Sequence, residues 1–450
     1  MITRRQFLAG AAAASLAGCR REQPRPNILF LMPDQFRGMD LGVMGNAGVH
    51  TPNMDRLASQ GVLFRNTVAN CPVCCPARAT LLTGKFAHHH GVAVNDAPLP
   101  DEEVTIAEIL KEQGYRTGFV GKWHLEGGIR EPGYVPPGPR RQGFDFWASH
   151  ICSHDYWNMH YFRDDPTPIP IEGYSARAFT DEALRFLNQD KETPFCLYLE
   201  WGPPHNPYVA PPEYMNLYDP EMQVMRQNWQ DGIWMGGRND VAGYCAAITF
   251  LDEEIGRILT TLEENGQTEN TIILLTSDHG DMLGSQGTFL KRKPWEESIK
   301  VPGILRYPAR VEAGLKLDFP FSHVDMPPTL LALAGLDVPE FMEGQNLAGN
   351  LLAPGDASSQ PESAYLQSYT PTERDEFPPW RGVRTRRYTF ARHADRPWLL
   401  YDDEQDPYQL DNLAGKPEHA ELEARLDKMT MDWFEKTRDD WHERKDMPYE

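Results

Sequence analysis

Three apolar runs constrain this chain more than anything else in it. Asn27 to Met32 reads N-I-L-F-L-M, Pro194 to Trp201 reads P-F-C-L-Y-L-E-W, and Thr271 to Thr276 reads T-I-I-L-L-T. A strand with one wet face alternates polar and apolar residues. A continuous run of this length marks a strand buried on both faces, as in a parallel sheet covered by helices. Between the runs, apolar spacing predicts helices at Val104 to Gln113, Ala176 to Asn188 and Asp240 to Glu264. The alternation predicts a three-layer α/β domain with a large mixed, mostly parallel sheet. Each run ends in polar residues: Asp34-Gln35, then His205 between prolines, then Ser277-Asp278-His279. Open α/β sheets bind ligands off the carboxyl ends of their strands, so these are the first candidates for a site. Asp is also a common turn residue, which leaves a plain turn as the alternative at Asp34.

At 450 residues the chain exceeds one ordinary domain. A main domain is expected over 27–359 and a smaller C-terminal α+β subdomain over 360–450. In the latter, short aromatic strands (Tyr365, Trp380, Tyr388, Trp398, Tyr401) precede an acidic helix from about Pro417 to Lys436. Forty-four Lys and Arg face 65 Asp and Glu, a net charge of −21. That surface excludes nucleic acid and anionic lipid as general partners, and an anionic substrate would need positive charge gathered locally in a cleft. Seven cysteines at irregular spacing do not form a disulfide framework.

Residues 1–19 read as an export signal. Thr3-Arg4-Arg5-Gln6-Phe7-Leu8 resembles a twin-arginine motif, with Ala9 where Lys is common. Leu16-Ala17-Gly18-Cys19 resembles a bacterial lipobox, which implies a lipid on Cys19 and a tether over 20–26. The apolar run is shorter than the roughly 20 residues of a membrane-spanning helix. The expectation is a bacterial exported protein of the periplasm or cell envelope, touching membrane only through that lipid. An ordinary secretory signal with a chance Cys is the alternative.

Asn70 to His90 contains Cys74-Cys75-Pro76-Ala77-Arg78 and then Leu82-Thr83-Gly84-Lys85. A helix beginning near Pro76 puts Cys74 at its positive end with Arg78 in the first turn beside it, an arrangement suited to an anion. The spacing fits a buried structural cysteine equally well. Lys122 and His124 lie two apart after the strand Gly118 to Gly121, which places both on one face if the strand continues. Lys291-Arg292-Lys293 gathers three cations that a solvated loop would also explain. The triplet His88-His89-His90 cannot turn all three rings to one ion, and reads as surface or loop. Asn95 is placed near the site. Aromatics crowd Gln142 to Phe162, lining a cleft or packing a core, and Pro212 to Asp240 reads as an irregular, lid-like segment.

The run from Cys74 matches C-x-[PA]-[SA]-R followed by L-T-G-[RK], in the one frame that Cys71 and Cys75 do not offer. Thr51-Pro52-Asn53-Met54-Asp55-Arg56-Leu57, with Asn53 as a helix cap, adds to it, as do Gly121-Lys122-Trp123-His124-Leu125 and Pro204-His205-Asn206-Pro207. So do Asp278-His279-Gly280, Lys291 with Trp295-Glu296-Glu297, and Ser322-His323-Val324-Asp325, where Asp325 suits a cap. With these motifs in this order, the chain resembles the formylglycine-dependent sulfatases of the alkaline phosphatase superfamily, and that fold is implied. The resemblance implies that a formylglycine-generating enzyme oxidises Cys74 to formylglycine. It implies a Ca2+ site, with Mn2+ as the alternative ion, formed by Asp34, Gln35, residue 74, Asp278 and His279. His279 stands where Asn is commoner, and His is a poor calcium ligand beside oxygen donors, so a hydrogen bond from His279 to the formylglycine is the alternative to metal ligation. The family pattern further assigns Arg78, Lys122 and Lys291 to the sulfate oxygens. It assigns His205 or Lys291 to the leaving alcohol, and His124 to loss of the second hydroxyl proton of the hydrated aldehyde. The expected substrate is a sulfated carbohydrate. The alternatives are a phosphodiesterase or phosphonate monoester hydrolase of the same superfamily, and a non-catalytic glycan-binding lipoprotein.

Overall fold

The computed structural model describes residues 25–128, 130–232, 234–355, 357–369 and 377–444. The export signal, Cys19 and all of the tether before Arg25 lie outside the described residues. The eight strands of the main sheet are β1 (Asn27–Asp34), β2 (Val62–Phe64), β3 (Arg116–Lys122), β4 (Phe146–His150), β5 (Phe195–Pro204), β6 (Thr271–Leu275), β7 (Ile304–Arg306) and β8 (Leu315–Leu317). Their spatial order is β8-β2-β7-β6-β1-β5-β3-β4. Pairing is parallel except at β7, which runs antiparallel to both β6 and β2.

The apolar runs became the centre of this sheet. All eight residues of β1 are buried, and its side chains alternate between two cores. Leu29 and Leu31 enter one core with helices α1 (Pro52–Ser59), α4 (Ser175–Leu187) and α5 (Arg238–Glu264). Ile28, Phe30 and Met32 enter the other, with helices α2 (Cys74–Thr83), α3 (Ile106–Glu112) and α6 (Met326–Leu333). Two covered faces explain why the strand carries no polar alternation. Among the described residues no helix is long and apolar enough to cross a membrane.

A second, antiparallel sheet follows in the order β9 (Ser363–Ser368), β10 (Trp380–Thr385), β11 (Tyr388–Arg392), β12 (Pro397–Asp402), with helix α7 (Ala420–Lys436) packed on it. It grips the loop that carries Lys291. Trp380 Nε1 donates to Arg292 O at 2.9 Å, and Arg384 Nε pairs with Glu296 at 2.7 Å.

Several local expectations are revised. Asn53 is the second residue of α1, not its cap, and its side chain donates to Asp252 at 3.0 Å. The histidine triplet is a short helix, Ala87–His90, and only His89 faces outward. His90 is buried, with Nε2 3.1 Å from Thr80 Oγ1 and Nδ1 accepting from Val92 N at 3.1 Å. Most of the aromatics between 142 and 162 pack in the cores. The segment after 212 is tied down by Arg226 and Asn228, both bonded to Glu297, at 2.7 and 2.8 Å. Asp325 is structural, as expected, but Ser322 is the cap: Asp325 closes the capping box from its third position, accepting from Ser322 N at 3.0 Å.

Candidate active site

Helix α2 begins at Cys74, two residues earlier than Pro76 suggests, and all ten of its residues are buried. Gly84 closes it in the left-handed conformation (φ 66°), which glycine adopts without strain. The two adjacent cysteines face opposite ways. Cys75 Sγ donates to His124 O at 2.9 Å and accepts from Asp96 N at 3.3 Å. Cys74 Sγ lies 3.2 Å from His279 Nε2. Cys71 sits in an apolar cluster with Val73, Ala87, Ala93 and Tyr369.

Strands β1 and β6 bring Asp34 and Asp278 to the same point. Ligand atoms of Asp34, Cys74, Asp278 and His279 all lie within 4.8 Å of one another. His279 Nδ1 faces Gly280 O at 2.9 Å and so donates there, which turns Nε2 toward the cluster. Asp278 Oδ1 accepts from Gln35 N and His279 N, each at 3.0 Å. Asp34 Oδ1 is buried and meets no hydrogen-bond partner among the described residues. A carboxylate oxygen left so is costly unless a cation takes it, so this donor set fits a divalent metal. Burial opposes ionisation of both carboxyls. Lys122, His205, Arg78 and His279 nevertheless hold Asp34 well below the usual range, while the charge of Asp34 helps push Asp278 up.

Gln35 joins this group through its backbone and its amide. Nε2 donates to Asp281 Oδ2 at 2.7 Å, which fixes Oε1 toward Lys291 Nζ at 2.9 Å. Lys291 also donates to His205 Nε2 at 2.9 Å, and His205 Nδ1 donates to Asn206 O at 2.8 Å. Lys122 Nζ donates to Asp34 Oδ2 at 2.6 Å. Burial works against the Lys122 ammonium, but Asp34 outweighs it and keeps the group charged. Burial would also raise the Cys74 thiol, yet Lys291, His279 and Lys122 draw it well below the ordinary thiol range, against Asp34.

Two expected placements change. Arg78 was assigned to sulfate oxygens, but both terminal nitrogens are committed to the protein. Nη1 donates to Lys122 O at 2.9 Å and to Glu200; Nη2 donates to Asp34 Oδ2 at 3.1 Å and to Asp278 Oδ2 at 2.9 Å. Its guanidinium clamps three carboxylates and a carbonyl in fixed relation. His124 does not share a face with Lys122, because β3 ends at Lys122 and His124 takes a left-handed backbone (φ 53°). Its Nε2 lies 3.0 Å from Asp96 Oδ1, a carboxylate already bound by Arg130, and its Nδ1 is buried without a partner among the described residues. Asn95 lies one step away, accepting from Cys75 N at 3.1 Å.

The sequence reading missed Glu200, His154, Asp96 and Asp281. Glu200 had a signal: a carboxylate inside an apolar run must find a buried partner. Burial pushes it up to about 8 against the pull of Arg78. His154 had none, since it stands among aromatics that pack elsewhere. Its Nε2 meets Lys122 Nζ at 3.2 Å and its ring stacks on His205.

Carboxylates and an imidazole around a metal-sized gap, a helix-start cysteine beside it and two lysines in reach make a centre for attack on a tetrahedral oxyanion ester. The sulfatase family model matches residues 26–336. The chain belongs to the sulfatase family. A second model, the C-terminal part of N-sulphoglucosamine sulphohydrolase, matches residues 284–436 of this sulfatase. The ulvan-active sulfatase of Formosa agariphila is 38% identical over 415 residues, spanning 90% of this chain and 80% of that relative. A structure from work on glycosaminoglycan metabolism by Bacteroides thetaiotaomicron superposes with a TM-score of 0.86 at 27% identity, covering 93% of this sulfatase and 98% of that chain. Another, solved with its substrate D-glucosamine-2-N,6-O-disulfate, gives a TM-score of 0.80 at 27% identity, covering 92% and 98%. The enzyme is thus a sulfuric ester hydrolase with an alkaline phosphatase-like fold, a three-layer sandwich with a small C-terminal sheet.

Proposed function

We propose that this sulfatase removes a sulfate ester from a carbohydrate, with Cys74 converted to formylglycine and a divalent cation held by Asp34, Gln35, Asp278 and His279. The observation that carries the reading is the meeting of Cys74 Sγ with Asp34, Asp278 and Nε2 of His279. The relatives support a sugar substrate, since one acts on ulvan and another was solved with a sulfated glucosamine. The bound cation would supply Lewis acidity toward one sulfate oxygen. Oxygen donors favour Ca2+; the imidazole of His279 suits Mn2+ equally. Formylglycine would supply, as its hydrate, a hydroxyl nucleophile in place of the thiol.

The remaining work falls to this chain's own side chains. Lys122 and Lys291 each keep one N–H beyond their two protein acceptors, and these address the sulfate oxygens as charge develops there. Lys291, bonded to His205, stands ready to pass a proton to the leaving alcohol, and His205 shares that proton. His124, anchored on Asp96 through Nε2, is the group assigned to the second hydroxyl proton. Arg78 keeps Asp34 and Asp278 together. We further propose export with a lipid on Cys19, and maturation of Cys74 by a formylglycine-generating enzyme before folding, because α2 buries the thiol afterwards. The test is turnover by matured enzyme on sulfated oligosaccharides, with phosphate diesters and phosphonate monoesters in parallel, and metal analysis of the same sample. Sulfate release with about one Ca2+ or Mn2+ per chain supports the reading. Phosphorus-ester cleavage without sulfate release overturns it.

A further inference from the structure

The site contains the same device twice. Lys291 is fixed by two acceptors, Gln35 Oε1 and His205 Nε2, each at 2.9 Å. Lys122 is fixed by Asp34 Oδ2 at 2.6 Å and His154 Nε2 at 3.2 Å. The two imidazoles stack face to face, with ring centroids 4.0 Å apart and planes within 7°. Each lysine therefore has one acceptor from β1 or the residue after it, and one from the stacked pair. An ammonium has three N–H donors and no acceptor. One bond sets its rotation; two bonds also set the place of the nitrogen and aim the third N–H. His154 can do this only as an acceptor at Nε2, which a neutral ring protonated at Nδ1 provides. Burial, His205 and Lys122 all hold the ring neutral.

We propose that His154 is a positioning residue for sulfate ester hydrolysis: its Nε2 is the second fixed acceptor that aims Lys122 at the sulfate group, and its ring braces His205 on the Lys291 side. His154 is only partly open to solvent, and its Nε2 turns inward to the buried Lys122 ammonium. The proposal rests on the reading above that Lys122 contacts the sulfate, and the test separates the two.

Matured wild-type enzyme is compared with His154→Phe, which keeps a stacking ring without the acceptor, and His154→Gln, which keeps an acceptor without the ring. Lys122→Ala and the double variant complete a cycle. H154F lowers kcat/KM about 10- to 100-fold, mostly in kcat, the usual range for losing the partner that orients a site group. H154Q recovers most of that loss. In the K122A background H154F costs little more, because the residue acts through Lys122. Wild-type kcat/KM in H154F, or a full additional loss in the K122A background, overturns the role of His154. Unchanged turnover in K122A instead overturns the assignment of Lys122, and this proposal with it. If H154F does not fold, His154→Met takes its place in the cycle under the same criteria.

Discussion

Arg78 shows how much one side chain organises here. It is buried, and its two terminal nitrogens reach Asp34, Asp278, Glu200 and the carbonyl of Lys122. Asp34 and Asp278 face one gap and would repel, with Glu200 buried on the far side of the guanidinium; Arg78 is what lets them stay close. Arg78→Ala therefore leaves buried charge uncompensated, and denaturant unfolding should show a loss of ~3–5 kcal/mol. A loss under about 1 kcal/mol would mean that the carboxylates relax without it. At this scale the sequence was legible where a motif fixed the frame. Cys74 faces the cluster and Cys75 turns away, as the motif requires. It was illegible where the partner comes from a distant strand. Nothing near Arg78 in sequence announces Glu200, 122 residues on. The expectation that His124 shares a face with Lys122 failed because the strand period of two stops applying when the strand ends.

The central strands were read from the sequence because burial on both faces leaves an unmistakable apolar run. Most of the two- and three-residue strands were not, since a pattern needs several residues to repeat. Helix α2 buries the Cys74 thiol, and the element after it adds a titration. His90 is neutral in the folded chain, pushed down to about 3 by burial. Between about pH 6.5 and 3 the unfolded chain binds a proton there that the native chain does not. Stability accordingly falls as pH drops through that window, by at most about 1.4 kcal/mol per pH unit from this residue. His90→Asn, which keeps an acceptor for Val92 N, should flatten the loss of melting temperature between pH 7 and 4. An unchanged slope would show that the ring titrates freely. The C-terminal helix is fixed by Asp439, just beyond the end of α7. Its carboxylate accepts from Tyr365 and Gln367 on β9, at 2.9 and 2.7 Å, and pairs with Arg381 on β10. Arg381 outweighs burial and holds Asp439 down to about 2, so the contribution persists above pH 4 and is lost as pH falls toward 2. Asp439→Asn should cost ~3–5 kcal/mol at neutral pH by leaving Arg381 buried and unpaired. A melting temperature equal to wild type would show that the helix is held by apolar packing instead.

Across the molecule, a net charge of −21 surrounds a site whose Arg78, Lys122 and Lys291 are buried in its floor. The surface argues against nucleic acid and anionic lipid as general partners, while the floor holds the positive charge that an anionic ester needs. Composition gave the first half of that contrast, and only the fold supplies the second. The three-layer architecture was legible because strand and helix alternate along the chain. The grip of the C-terminal sheet on the Lys291 loop was not, because Trp380 and Arg384 meet that loop from about 90 residues away. The account turns on the identity of residue 74. Trypsin cuts after Arg65 and Arg78, and the intervening peptide carries Cys71, Cys74 and Cys75. Fragment mass spectrometry of that peptide, from chain produced with a formylglycine-generating enzyme, should place an aldehyde or its hydrate at residue 74 and thiols at 71 and 75. A plain thiol at Cys74 in protein that releases sulfate from its substrate would contradict the account.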